Sequence, residues 1–140
     1  MKFLKLKVLI FLFMFLQAAS AQNSITVIKF MGSISTYQSI DEKNFWTWTD
    51  EHATLIIRNN DFLEDVKKLK SEQSNYNLVD IKYAFLVKNK KGKIIETFYT
   101  DNLMEIWAFK KNNKFTLYYD KERKIYESLI KLYSFFNECW

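Results

Sequence analysis

The residues with the most chemical capacity in this 140-residue sequence lie close together. His52 is the only histidine, and it directly follows the carboxylates Asp50 and Glu51. A histidine beside carboxylates suits a general base or a pH-sensitive contact, because neighbouring negative charge favours the imidazolium. Trp46 and Trp48 precede it by a few residues. Together with Trp107, Tyr37, Tyr118 and Tyr119 they supply the large amphipathic rings that stack on sugars or anchor protein partners. Trp46, Trp48, Asp50, His52 and Trp107 are therefore the candidate binding residues. No residue is assigned a catalytic role.

Each set also has a plainer structural account. Aromatic residues make good strands, and a strand over 45–49 (FWTWT) would place Trp46 and Trp48 together on one buried sheet face. Serine catalysis with His52 lacks a GxSxG-type strand-to-helix turn. Asp61, Glu64 and Asp65 crowd the first turn of a predicted helix, where the helix dipole favours acids whatever the function. Asp41–Glu42 and Asp50–Glu51 are adjacent pairs, which an extended chain would splay apart. One histidine and one cysteine do not make an ordinary zinc site, and no spacing fits the twelve-residue calcium loop. Neither a metal nor a cofactor is expected. No Asn-x-Ser/Thr sequon occurs.

The N-terminus reads as an export signal. Lys2, Lys5 and Lys7 precede nine apolar residues, Val8 to Leu16, and Ala19-Ser20-Ala21 offers a small-x-small cleavage site before Gln22. The apolar run falls well short of the roughly 20 residues a membrane-spanning helix needs, so no stable membrane anchor is expected. The chain should thus divide into a signal peptide, 1–21, and one domain, 22–140, working in the periplasm or outside the cell. Three of the 21 basic residues fall in the signal, leaving 18 against 16 acidic ones and a mature charge of +2. Nucleic acid is excluded as a partner, since a phosphate-binding face needs clustered cations. The one dense group, Lys88 to Lys93, reads as a hairpin loop. Cys139 has no internal partner and is available for an intermolecular disulfide or for burial.

These residues need elements to hold them. Residues 24–31 form a strand, and a bend at Gly32 leads into 33–40. Residues 45–49 and 53–58 are further strands. A helix over 61–73 opens at Asn60 or Asp61, with Glu64 completing a capping box, and buries Phe62, Val66 and Leu69. Residues 78–87 alternate, and Gly92 closes a hairpin onto 93–100. Residues 104–110 and 114–119 make a second hairpin around Asn112-Asn113, with a helix over 101–109 as an alternative. A last helix over 120–137, capped by Asp120, presents Ile125, Leu129, Leu132, Phe136 and Cys139 as one stripe.

The resulting expectation is an α+β fold: an antiparallel meander of about five to six strands packed by two helices. A helix followed by a four-strand meander resembles cystatin-like folds, a likeness of architecture that says little about function. The function expected is an exported, non-enzymatic binding domain for a protein or saccharide. A small secreted hydrolase using His52 with a nearby carboxylate such as Asp50 is one alternative. An inhibitor or immunity-type protein that blocks another enzyme is the other.

Overall fold

A seven-stranded antiparallel sheet dominates the computed structural model, which describes residues 23–32, 39–59, 61–74 and 80–137. The strands are β1 (Ser24–Phe30), β2 (His52–Ile57), β3 (Lys70–Ser74), β4 (Tyr83–Lys88), β5 (Ile94–Thr100), β6 (Ile106–Lys111) and β7 (Lys114–Tyr119). Their spatial order is β2-β1-β4-β5-β6-β7-β3. Three helices, α1 (Glu42–Thr47), α2 (Asp61–Lys67) and α3 (Lys124–Leu132), complete an α+β fold. The proposed signal segment, Tyr37 and Cys139 lie outside the described residues, as do parts of the segments 33–40 and 78–87.

Local chemistry explains most of the elements. β6 and β7 join through Asn112 and Asn113, with φ of 50° and 59°, between the paired residues Lys111 and Lys114. Two successive left-handed residues make the hairpin turn whose twist matches the strands, and asparagine tolerates that conformation. At the β4–β5 hairpin, Asn89 Oδ1 accepts from the backbone N–H of Lys91 and Lys93, and Gly92 takes a φ of 77°.

Several expectations are corrected. The sheet has one or two more strands than expected. Residues 45–49 do not form a strand: α1 occupies 42–47 and a 3-10 turn follows over Thr49–Glu51. The cause is visible in hindsight. Asp41 accepts the Asn44 N–H at 2.7 Å, and Ile40 and Phe45, one residue before the cap and four after it, are both buried in one cluster. That is an N-cap with a hydrophobic staple. The helix expected over 61–73 stops at Lys67, and 70–74 (KSEQS) is instead the edge strand β3, paired with β7. Ahead of α2, Asn59 Oδ1 accepts the Asp61 N–H at 2.9 Å, and Asn60, one of the two expected caps, lies outside the described residues. Residues 101–105 form a turn rather than a helix, held by Asp101 Oδ1 on the Glu105 N–H at 3.1 Å.

The last helix is also shorter than expected. It covers 124–132 and yields at Tyr133 to a 3-10 turn, Ser134–Phe136. Ile125, Leu129 and Phe136 are buried, while Leu132 is 71 % exposed, so the expected stripe breaks there. Arg123, not Asp120, occupies the N-cap position, though the buried Asp120 carboxylate still accepts the Ile125 N–H of the first turn at 2.8 Å.

The sheet separates two apolar clusters. On one face, α2, α3 and the last 3-10 turn cover Ile25, Val27, Ile57, Tyr83, Phe85, Phe98 and Trp107. Phe85 is the hub of that face, with ring centroids 5.0 Å from Trp107, 5.6 Å from Phe62 and 6.0 Å from Phe136. Lys29 projects to the same face at 5 % exposure and donates to the backbone oxygens of Phe135 (2.8 Å) and Asn137 (3.1 Å). A buried ammonium is tolerable because two carbonyl oxygens and two aromatic rings, Tyr83 and Phe135, replace its water. On the other face α1 packs over Phe30, Ala84, Tyr99 and Ala108.

Candidate functional site

The cap at Asp41 and the staple beneath it fix α1 against the sheet, and α1 in turn presents the aromatic residues. Trp46 stands between three rings. Its centroid lies 5.1 Å from Phe45 and 6.0 Å from His52, both nearly perpendicular, and 6.4 Å from Tyr99 at 70°. Edge-on aromatic pairs of this kind are favoured by the ring quadrupole. Trp48, just past the helix, meets Phe30 at 6.0 Å. Both tryptophans are half-buried.

Polar groups at the base of this aromatic group form one chain. Trp46 Nε1 donates to the Tyr99 hydroxyl at 2.9 Å. The Tyr99 hydroxyl donates to Glu42 Oε1 at 2.8 Å, and Lys110 Nζ donates to the same oxygen at 2.6 Å. Lys110 also lies 5.7 Å from the centre of the Phe115 ring. Burial, with the Glu42 carboxylate beside it, pushes the Tyr99 phenol above the ordinary tyrosine range, offset only in part by the hydrogen bond from Trp46. A neutral phenol can donate to Glu42 while accepting from Trp46. A phenolate would place a second negative charge against the carboxylate.

His52 starts β2 opposite Phe30 and stacks at a tilt on Phe45, 4.8 Å between centroids. Its Nε2 is buried and has no hydrogen-bond partner among the described residues. The ring therefore takes part in the packing under α1, with its Nε2 covered.

The structure thus brings Trp46, Trp48 and His52 together, on a helix, a turn and a strand end rather than on one strand face. Asp50 belongs to the adjoining 3-10 turn, and its side chain lies outside the described residues. Trp107 is elsewhere: it is fully buried on the opposite face of the sheet and donates Nε1 to the Met104 oxygen at 3.0 Å. Tyr99 and Lys110 were missed by sequence reasoning, and Glu42 was weighed only as one of an adjacent acidic pair. Tyr99 and Lys110 lie 57 and 68 residues from Glu42 along the chain, so no local spacing announces the group. Among the described residues no three His, Cys, Asp or Glu side chains are grouped to hold a metal ion. No described helix is long and apolar enough to cross a membrane. Comparison with known proteins finds no match: no family model, no curated protein and no solved structure is similar to this chain.

Proposed function

We propose that this chain is an exported, non-enzymatic binding domain that engages a protein or saccharide through the aromatic face built on α1. The observation that carries this reading is the hydrogen-bonded chain from Trp46 through Tyr99 to Glu42 and Lys110. It ties the groups best suited to acid–base work to one another and holds the half-buried Trp46 ring in a fixed position. A fixed aromatic surface binds with little further loss of side-chain freedom. The hydrolase alternative is less well supported, because His52 Nε2 is covered. Export rests on the charged, apolar and small-residue segments before Gln22. A cystatin-like architecture is supported by the placement of α2 ahead of the meander β4 to β7.

The test compares the wild type with Trp48→Ser and Tyr99→Phe. Soluble chito- and cello-oligosaccharides and muropeptides are titrated by tryptophan fluorescence, and proteins from the envelope and medium of the producing cells are captured on the immobilised chain. The reading expects a ligand held by the wild type and weakened by Trp48→Ser, with the far-UV spectrum unchanged. Equal binding by the variants would overturn it. Turnover of a substrate that disappears in His52→Gln would favour the hydrolase. Stoichiometric capture and silencing of one enzyme would identify the partner class as an enzyme.

A further inference from the structure

The two edges of the sheet are built oppositely. β3 is an all-polar edge with Lys70 and Glu72, the charged kind that resists pairing with another sheet. β2, the other edge, reads HATLII and is the one strand of the seven described with no Lys, Arg, Asp or Glu. Ile56 on it is 64 % exposed. No described strand pairs with its outer side.

The ladder tells which backbone groups look outward. The Met31 N–H donates to the Glu51 oxygen at 2.6 Å, so that pair is a hydrogen-bonded one. In an antiparallel ladder such pairs recur at every second residue. Lys29–Ala53, Val27–Leu55 and Ile25–Ile57 therefore hold the bonds between β1 and β2. The N–H and C=O groups of Thr54 and Ile56 point to the free edge.

We infer that β2 is a self-pairing edge, and that its occupant is the β2 strand of a second copy of this chain, antiparallel about a two-fold axis at Leu55. That register sets Thr54 opposite Ile56 of the copy, and the reverse, so all four outward groups on each strand find partners. Leu55 faces its own copy in a non-hydrogen-bonded pair, where side chains approach most closely. Electrostatics favours a second copy as the occupant. Close to a two-fold axis a charged side chain meets its own sign, and Ala53 to Ile57 contain none. The pairing would keep both α1 faces on one side of a continuous sheet. Bivalent binding would follow from the function proposed above, but the dimer itself does not depend on that function.

The experiment is sedimentation equilibrium of the purified protein under reducing conditions, for the wild type, Ile56→Lys and the β3 control Gln73→Lys. Both substituted side chains are exposed, and a far-UV spectrum checks the fold. A concentration-dependent dimer is expected, weakened about tenfold or more by Ile56→Lys and unchanged by Gln73→Lys. In a Cys139→Ser background, Leu55→Cys should oxidise to a covalent dimer, since facing residues of this kind have Cα atoms about 4.5 Å apart, within disulfide reach. A wild type that stays monomeric at millimolar concentration overturns the inference. So does a dimer indifferent to Ile56→Lys, a dimer that Leu55→Cys does not cross-link, or a monomer that takes up an extended apolar peptide at β2.

Discussion

Replacing Tyr99 by phenylalanine removes one oxygen and leaves the ring. That oxygen joins two hydrogen bonds, one from Trp46 and one to Glu42. Each contributes about 1 kcal/mol net, and the stranded Trp46 Nε1 adds up to about another 1 kcal/mol, so Tyr99→Phe should lose about 2–3 kcal/mol at pH 7. For a chain of this size that corresponds to about 8–12 °C in Tm. The pH dependence gives a second, independent check. Tyr99 is a neutral acid whose folded-state pKa is raised, so its protonated form stabilises the fold below the unfolded value near 10, and that stability fades as pH rises above it. The variant has no such group. The stability gap between the two proteins should therefore narrow from pH 9 to 11, by no more than about 1.4 kcal/mol per pH unit. Urea denaturation at pH 7, 9, 10 and 11 measures it. Equal stability at pH 7, or a gap that widens with pH, would refute the hydrogen-bonded arrangement on which the aromatic face rests.

The other elements give further expectations. Trp107→Ala should cost about 3–5 kcal/mol by urea denaturation, because it empties the centre of the helix-covered core beside Phe85. Lys29→Met should cost about 2–4 kcal/mol, since the partly buried carbonyl oxygens of Phe135 and Asn137 lose a charged donor. Limited proteolysis should then cut the chain first near 134–137. Asn113→Gly, at a φ of 59°, should raise stability by about half a kcal/mol, readable as a small increase in Tm.

Much of this fold is legible in the sequence where one local signal dominates. The hairpins at Asn89–Gly92 and Asn112–Asn113 follow from turn chemistry, and the alternation of Tyr83, Phe85 and Val87 marks the most buried strand. What escapes is decided by competition. FWTWT alternates as a strand should, yet the Asp41 cap and the Ile40–Phe45 staple make most of it a helix. KSEQS carries no strand propensity to speak of, and pairing with β7 imposes the conformation from outside. The site divides the same way. Trp46, Trp48 and His52 stand out by type, but Tyr99 and Lys110 join them only because β5 and β6 lie beneath α1. Trp107 looks equivalent to Trp46 in the sequence, and strand parity alone sends it to the opposite face.

The most direct measurement of the central claim is amide hydrogen exchange with and without a bound ligand from the capture or titration experiments. Slowed exchange concentrated in Glu42 to His52, with β3 and β7 unaffected, is the predicted result. Protection confined to other elements, with α1 exchanging as in the free protein, would contradict the assignment of binding to the aromatic face.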